Sequence, residues 1–132
     1  MATTKKIRDD LLYPELSYKI TGILFNVSNK LGGGYLEKYY QKAVAESLKT
    51  AGIKFAEQLH APFMFNGIQI GKCFLDFLVD GKIILELKRG NRFFGKDIEQ
   101  VYSYLKINNL QLGILANFTN HGVETKRIVN IN

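Results

Sequence analysis

The spacing of apolar residues changes period twice along the chain. In "PELSYKITGILFNVSNK", residues 14–30, Leu16, Ile20, Ile23, Leu24 and Val27 recur at helical intervals, and Pro14 suits a first turn. "LGGGY" interrupts that pattern. A second helix is expected from Tyr35 to about Thr50, with Leu36, Tyr39, Tyr40, Ala43, Val44 and Leu48 as its stripe and Gly52 as its stop. The period then shortens. β-Branched and aromatic runs cut by Asn66-Gly67 and Asp80-Gly81 predict strands near 54–65, 68–80 and 82–89. Residues 96–107 return to helical spacing, "LQLGILANF" (110–118) reads as a short strand buried on both sides, and "ETKRIVNI" as a last edge strand. The order α, α, β, β, β, α, β, β predicts an α/β fold, a mixed sheet with helices packed against it.

Length and composition narrow this picture. The 132 residues fit one domain, 1–132, with a sizeable core, and show no linker, repeat or low-complexity segment. No apolar run approaches the roughly 18–20 residues that span a bilayer. "MATTKKIRDD" lacks the apolar stretch of a secretory signal, so no membrane association and a cytoplasmic location are expected. Cys73 is the only cysteine, which excludes an internal disulfide and a cysteine-rich zinc site. A net charge of +6 and a pI of about 9.4 favour polyanionic partners without specifying them.

The chemistry concentrates around "VDGKIILELK". Cys73, Leu75, Phe77 and Val79 on one strand, and Ile83, Leu85 and Leu87 on the next, form an apolar odd-numbered face. Both sets point inward only if odd residues pair with odd. A two-residue turn at Asp80-Gly81 fails that condition. A three-residue loop, Val79-Asp80-Gly81 with Gly81 left-handed and 78 opposite 82, meets it. Asp76, Glu86 and Lys88 then share the even face of one hairpin. Close carboxylates raise each other's pKa unless a cation lies between them, and hard oxygen donors of this kind suit Mg²⁺. A lysine beside the ion can orient or deprotonate water and offset phosphate charge. An isolated E-x-K pair is more often a solvated salt bridge, so Asp76 at matching parity is what gives the pattern weight.

These residues resemble a known core. Asp76 followed by Glu86-Leu87-Lys88 is similar to the D…E-x-K signature of the PD-(D/E)XK nuclease superfamily. "IEQVYSYLK" supplies Gln100 and Tyr104, resembling the Q-x-x-x-Y helix of its exonuclease-like branch. "GGGYLEKYYQKAV" supplies Gly34, Glu37 and Tyr40, and resembles the motif of the GxxExxY family, a largely uncharacterised bacterial group in that superfamily. The likeness implies a restriction-endonuclease-like core in a single domain, a mixed central β-sheet flanked by α-helices. It implies Asp76, Glu86 and the Leu87 carbonyl as ligands of Mg²⁺ or Mn²⁺, and Lys88 as the group that activates water. Glu37 is implied as a further acid, with Gln100 and Tyr104 on one helix face toward the site. Relatives often carry a histidine where this chain has Asp97.

The remaining candidates are weaker. Arg89, Arg92 and Lys96 follow the E-x-K and suit phosphate contacts, as they would suit a solvated basic loop. Tyr35, Tyr39 and Tyr40 suit base stacking, but helical spacing favours the core. His60 and His121 have no partner at metal-ligand spacing. The expected activity is metal-dependent hydrolysis of phosphodiester bonds, in DNA rather than RNA. The alternatives are a non-catalytic module binding nucleic acid or a protein partner, and a subunit active only in a larger complex; a protein partner or a homo-oligomer is allowed for.

Overall fold

The computed structural model describes residues 12–90 and 95–131. Two helices, α1 (Pro14–Leu31) and α2 (Glu37–Thr50), precede strands β1 (Phe55–Phe65), β2 (Ile68–Val79) and β3 (Ile83–Arg89). Helix α3 (Gly95–Ile107) then leads to β4 (Leu112–Thr119) and β5 (Gly122–Val129). The elements follow the apolar periods of the sequence to within a few residues at each end. Pro14 opens α1, where its missing N–H costs no helical bond. Helix α2 starts two residues later than the stripe suggests, because Leu36 is extended and exposed.

The five strands form one sheet in the order β1-β2-β3-β4-β5. The β1–β2, β2–β3 and β4–β5 pairs are antiparallel, whereas β3–β4 is parallel and crosses over through α3. Helices cover both faces. On one, Ile20, Leu24, Tyr40, Val44 and Leu48 pack on Phe77, Val79, Leu85 and Ile114. On the other, Val101 and Leu105 of α3 pack on Ile84, Leu115 and Leu75. Coverage from both sides explains why β4 is buried from Leu112 to Phe118 without polar alternation. Gly113 lets α3 approach the sheet: a Cβ there would sit 2.5 Å from Val101 Cγ1. β5 is an edge strand, as expected, tied to α1 by a hydrogen bond from Arg127 to Ser17.

The turn between β2 and β3 keeps the expected parity but moves its residues. Val79 pairs with Ile83, and the loop is Asp80-Gly81-Lys82 rather than Val79-Asp80-Gly81. Asp80 and Gly81 are both left-handed, at φ 52° and 66°, and Lys82 N–H donates to the Val79 carbonyl at 3.0 Å. Burial decides the register: Val79 is fully buried in the core, while Lys82 is exposed. Shifting the loop by one changes every cross-strand sum by two, so odd still faces odd. It also brings position 76 opposite 86 instead of 84.

The single apolar face expected for β2 does not persist along the strand. Phe77 and Val79 pack with α1 and α2, but Leu75 and Cys73 join the α3 side. Alternation breaks at Asp76. Across the sheet Gln58 of β1 is left-handed at φ 55° and drops out of the pairing between Glu57↔Phe77 and Leu59↔Leu75. The register is the same on both sides of this gap, so no residue is inserted, and the ladder here is interrupted only at Gln58 and Asp76.

Candidate active site

The break at Asp76 coincides with the end of the β2–β3 ladder, whose last pair is Phe77↔Leu85. Beyond it, side chains take over the role of the backbone. Asp76 N–H donates to Glu86 Oε1 at 2.9 Å, and Leu87 N–H donates to Asp76 Oδ2 at 2.8 Å. Each carboxyl is thus fixed by a backbone amide beside the other. Glu86 is buried and Asp76 partly so. Lys88, two residues along the same face of β3, places Nζ 3.6 Å from Glu86 Oε2. The same ammonium lies 3.8 Å from Oδ1 of Asp97, a buried residue in the first turn of α3.

Burial and crowding set the charge states. Desolvation pushes the Glu86 carboxyl up to about 8, and the negative charge of Asp76 adds to it. Asp76 is also raised, by burial above all, against the lowering effect of the Leu87 amide. Of the two, Glu86 is the more strongly raised. Burial would lower Lys88, but the carboxylates of Glu86, Glu37, Asp97 and Asp76 outweigh it and keep the ammonium charged.

Glu37 reaches this field from the N-terminus of α2. Its carboxyl is raised by desolvation, opposed by Lys88 and reinforced by Asp76. The loop before α2 is built to fix it. Gly34 adopts φ 91°, a conformation open to glycine, and Gly33 lies so close to the β4–β5 turn that a Cβ would meet Asn120 Oδ1 at 2.5 Å. Tyr40 is fully buried, stacks on Phe118 at 4.3 Å, and donates its hydroxyl to the Gly32 carbonyl at 2.7 Å. In the G-x-x-E-x-x-Y stretch the glycine and tyrosine are structural, and they present the glutamate.

The other sequence candidates divide. Gln100 and Tyr104 share one face of α3 and line a cavity against the β1–β2 hairpin, beside the carboxylates rather than among them. Lys96 lines the same cavity. Arg89 is exposed at the end of β3, near enough to Glu37 to act on its charge. Arg92 lies outside the described residues. Tyr35 and Tyr39 are exposed and meet edge to face. His60 packs edge-on against Phe74, and His121 sits in the β4–β5 turn. Cys73 lies beside the α3-side cluster, its thiol against the Ala61 carbonyl.

Two residues of the site escaped the sequence reading. Asp97 stood out only as a departure from a family pattern, although it lies three and seven residues before Gln100 and Tyr104, on the same helix face. Asn117 stands opposite Lys88 in the parallel β3–β4 register, fully buried. Its Nδ2 donates to the Gly90 carbonyl at 3.1 Å, while Oδ1 has no partner among the described residues. An amide in an otherwise apolar strand was the available signal.

Among the described residues no three His, Cys, Asp or Glu side chains converge as a ready metal cage. Two adjoining carboxylates nevertheless fit a hard divalent ion that keeps waters in its remaining positions. The upward push on Glu86 from burial and from the Asp76 charge marks where positive charge is needed.

Comparison with known proteins agrees with this architecture. The crystal structure of SSO0001 superposes with a TM-score of 0.54 at 17% identity, over 72% of this chain and 50% of that one, so the chain spans about half its length. That likeness is one of fold. The alkaline exonuclease LHK-Exo from Laribacter hongkongensis gives a TM-score of 0.46 at 12% identity, over 87% of this chain and 82% of that one. No curated protein matches the chain. Among the described residues no helix is long and apolar enough to cross a membrane. The model of one family matches residues 14–128, from the first turn of α1 to the penultimate residue of β5, and by that match the chain belongs to the PD-(D/E)XK nuclease superfamily.

Proposed function

We propose that the chain hydrolyses phosphodiester bonds in DNA, and that within its superfamily it falls in the GxxExxY group. The observation that supports this most is the exchange between Asp76 and Glu86, which holds two carboxyls at one end of the β2–β3 ladder with Lys88 3.6 Å from the second. Asp76, Glu86 and the Leu87 carbonyl would hold Mg²⁺ or Mn²⁺. Bound there, the ion supplies Lewis acidity toward a phosphate oxygen and toward water.

The chain's own residues do the rest. The amides of Asp76 and Leu87 hold the two carboxyls in place, so little reorganisation is needed when substrate arrives. Lys88 remains an ammonium ringed by acids, placed to offset charge gathering on a scissile phosphate and to orient the attacking water. Asp97 and Glu37 hold that ammonium from α3 and α2, the first as an ion pair and the second through the local field. Arg89, Arg92 and Lys96 supply phosphate contacts beyond the site, in keeping with the net charge of +6.

Cleavage of plasmid and single-stranded DNA with Mg²⁺ or Mn²⁺ tests the reading. Glu86→Ala and Lys88→Ala are each expected to slow cleavage by about 100-fold or more, the scale of losing one electrostatic contact in a transition state. Wild-type activity that survives both substitutions would remove these residues from the mechanism.

A further inference from the structure

A cavity of about 420 Å³ lies between α3 and the β1–β2 hairpin. Two elements measure its distance from the carboxylates. At 1.5 Å per helical residue, Tyr104 lies roughly 10 Å along α3 from Asp97, with Gln100 between them. At about 3.3 Å per strand residue, Cys73 lies roughly 10 Å along β2 from Asp76. The cavity therefore opens beside the cluster. A stacked strand advances about 3.4 Å per nucleotide, so roughly three nucleotides cover the gap, and fewer when the strand is extended.

Its walls have a mixed chemistry. Phe63, Met64 and Ile107 give an apolar and aromatic surface, and all three are exposed. Gln100, Ser103 and Tyr104 offer neutral hydrogen-bonding groups. Two ammonium groups, Lys96 and Lys106, stand against one carboxylate, Glu99. A ring face, neutral donors and acceptors, and surplus positive charge together suit a nucleobase and its phosphate. A base still in a duplex cannot enter without unstacking, which costs a few kcal/mol and is least for an unpaired base.

We propose that this cavity receives an unpaired base roughly one to three nucleotides from the phosphate held at the Asp76–Glu86 cluster, so that the substrate class is nucleic acid with unpaired nucleotides: a single strand, a frayed end or a flap. The inference rests on the hydrolytic reading for the phosphate, but the cavity is tested without cleavage. Anisotropy in chelator compares a labelled single strand of roughly 15 nucleotides with the same sequence as a blunt duplex, the length matching the site sizes of single-strand binders. The single strand is expected to bind at least about tenfold more tightly, and Phe63→Ala to remove about tenfold of that affinity while leaving duplex binding unchanged. Phe63 is 59% exposed, so the substitution spares the core; Phe63→Trp restores a ring and is expected to restore binding.

Equal affinity for both forms, or single-strand binding indifferent to Phe63→Ala, would overturn the proposal. So would a Phe63→Ala protein that binds DNA normally but sediments differently, which would assign this face to contact between copies of the chain. Cleavage that depends on Glu86 but ignores Phe63 would leave hydrolysis standing and the cavity out of it. Single-strand binding through Phe63 without cleavage by any divalent ion would do the reverse.

Discussion

Asp76 and Glu86 stand opposite each other where the β2–β3 ladder ends, and backbone amides hold both: Asp76 N–H on Glu86 Oε1 at 2.9 Å, Leu87 N–H on Asp76 Oδ2 at 2.8 Å. The ladder is thus continued by side chains. A sheet that remained regular through Asp76 would consume those amides in backbone bonds, that of Asp76 toward β1 and that of Leu87 toward β2, and leave the carboxyls unanchored. The irregularity at Asp76 and Gln58 is the structural condition for the site.

Without a metal, this pair makes the fold sensitive to pH. Glu86 keeps its proton up to about pH 8 when folded, against an ordinary value of 4.5. Between those limits the native state binds more protons than the unfolded chain, so stability falls as pH rises through the window. Asp76 and Glu37 are raised as well and act in the same sense. In chelator the melting temperature is expected to drop between about pH 5 and about pH 8, and Glu86→Gln to flatten the drop by roughly 5 °C. Parallel curves for wild type and variant would contradict the assignment.

Asp97 pairs with Lys88 from α3, as Glu86 does from β3. Asp97→Asn keeps the shape and removes the charge, and is expected to lower the cleavage rate about tenfold with little change in KM, the pattern of a contact that matters in the transition state. Steady-state kinetics decide it. A change in KM alone would place Asp97 in substrate binding instead.

Tyr40 presents Glu37 by fixing the loop in front of α2. Tyr40→Phe removes the hydrogen bond to the Gly32 carbonyl and is expected to cost about 1 kcal/mol in a denaturant titration. If the loop acts through Glu37, Tyr40→Phe and Glu37→Gln each slow cleavage, and the double variant is no slower than Glu37→Gln alone. Additive losses would show that the tyrosine acts elsewhere.

Gly113 sets how closely α3 approaches the sheet. Gly113→Ala forces a methyl against Val101 Cγ1 and is expected to destabilise the fold by about 1–3 kcal/mol, the usual cost of overpacking. Val101→Ala in the same chain makes room, so the double variant recovers part of the loss; thermal unfolding measures both. Cleavage is expected to suffer beyond the stability loss, since α3 carries Asp97, Gln100 and Tyr104.

The architecture was largely legible because burial imposes a period on sequence. Ile20, Leu24 and Val27 of α1 could serve only a helix face, and the apolar run of β4 only a strand covered on both sides. Parity in the β2–β3 hairpin was legible for the same reason. Its register was not, because moving the loop by one residue conserves parity. Burial of Val79 over Lys82 settled it, and with it the register that brings position 76 level with 86 just past the last ladder pair.

By itself the sequence determined the order of elements, the two-sided burial of β4, and the placing of Asp76, Glu86 and Lys88 on one hairpin. Those follow from short-range rules, the period of burial and the chemistry of turns. Only the tertiary structure decided that alternation breaks at Asp76, that Asp97 pairs with Lys88 while Asn117 lies opposite it in the sheet register, and that Gln100 and Tyr104 line a cavity beside the carboxylates. Each of these depends on groups distant in the chain meeting across the sheet or between helix and sheet. Such meetings are set by how closely α3 packs and where a ladder stops, and neither leaves a periodic trace in the sequence.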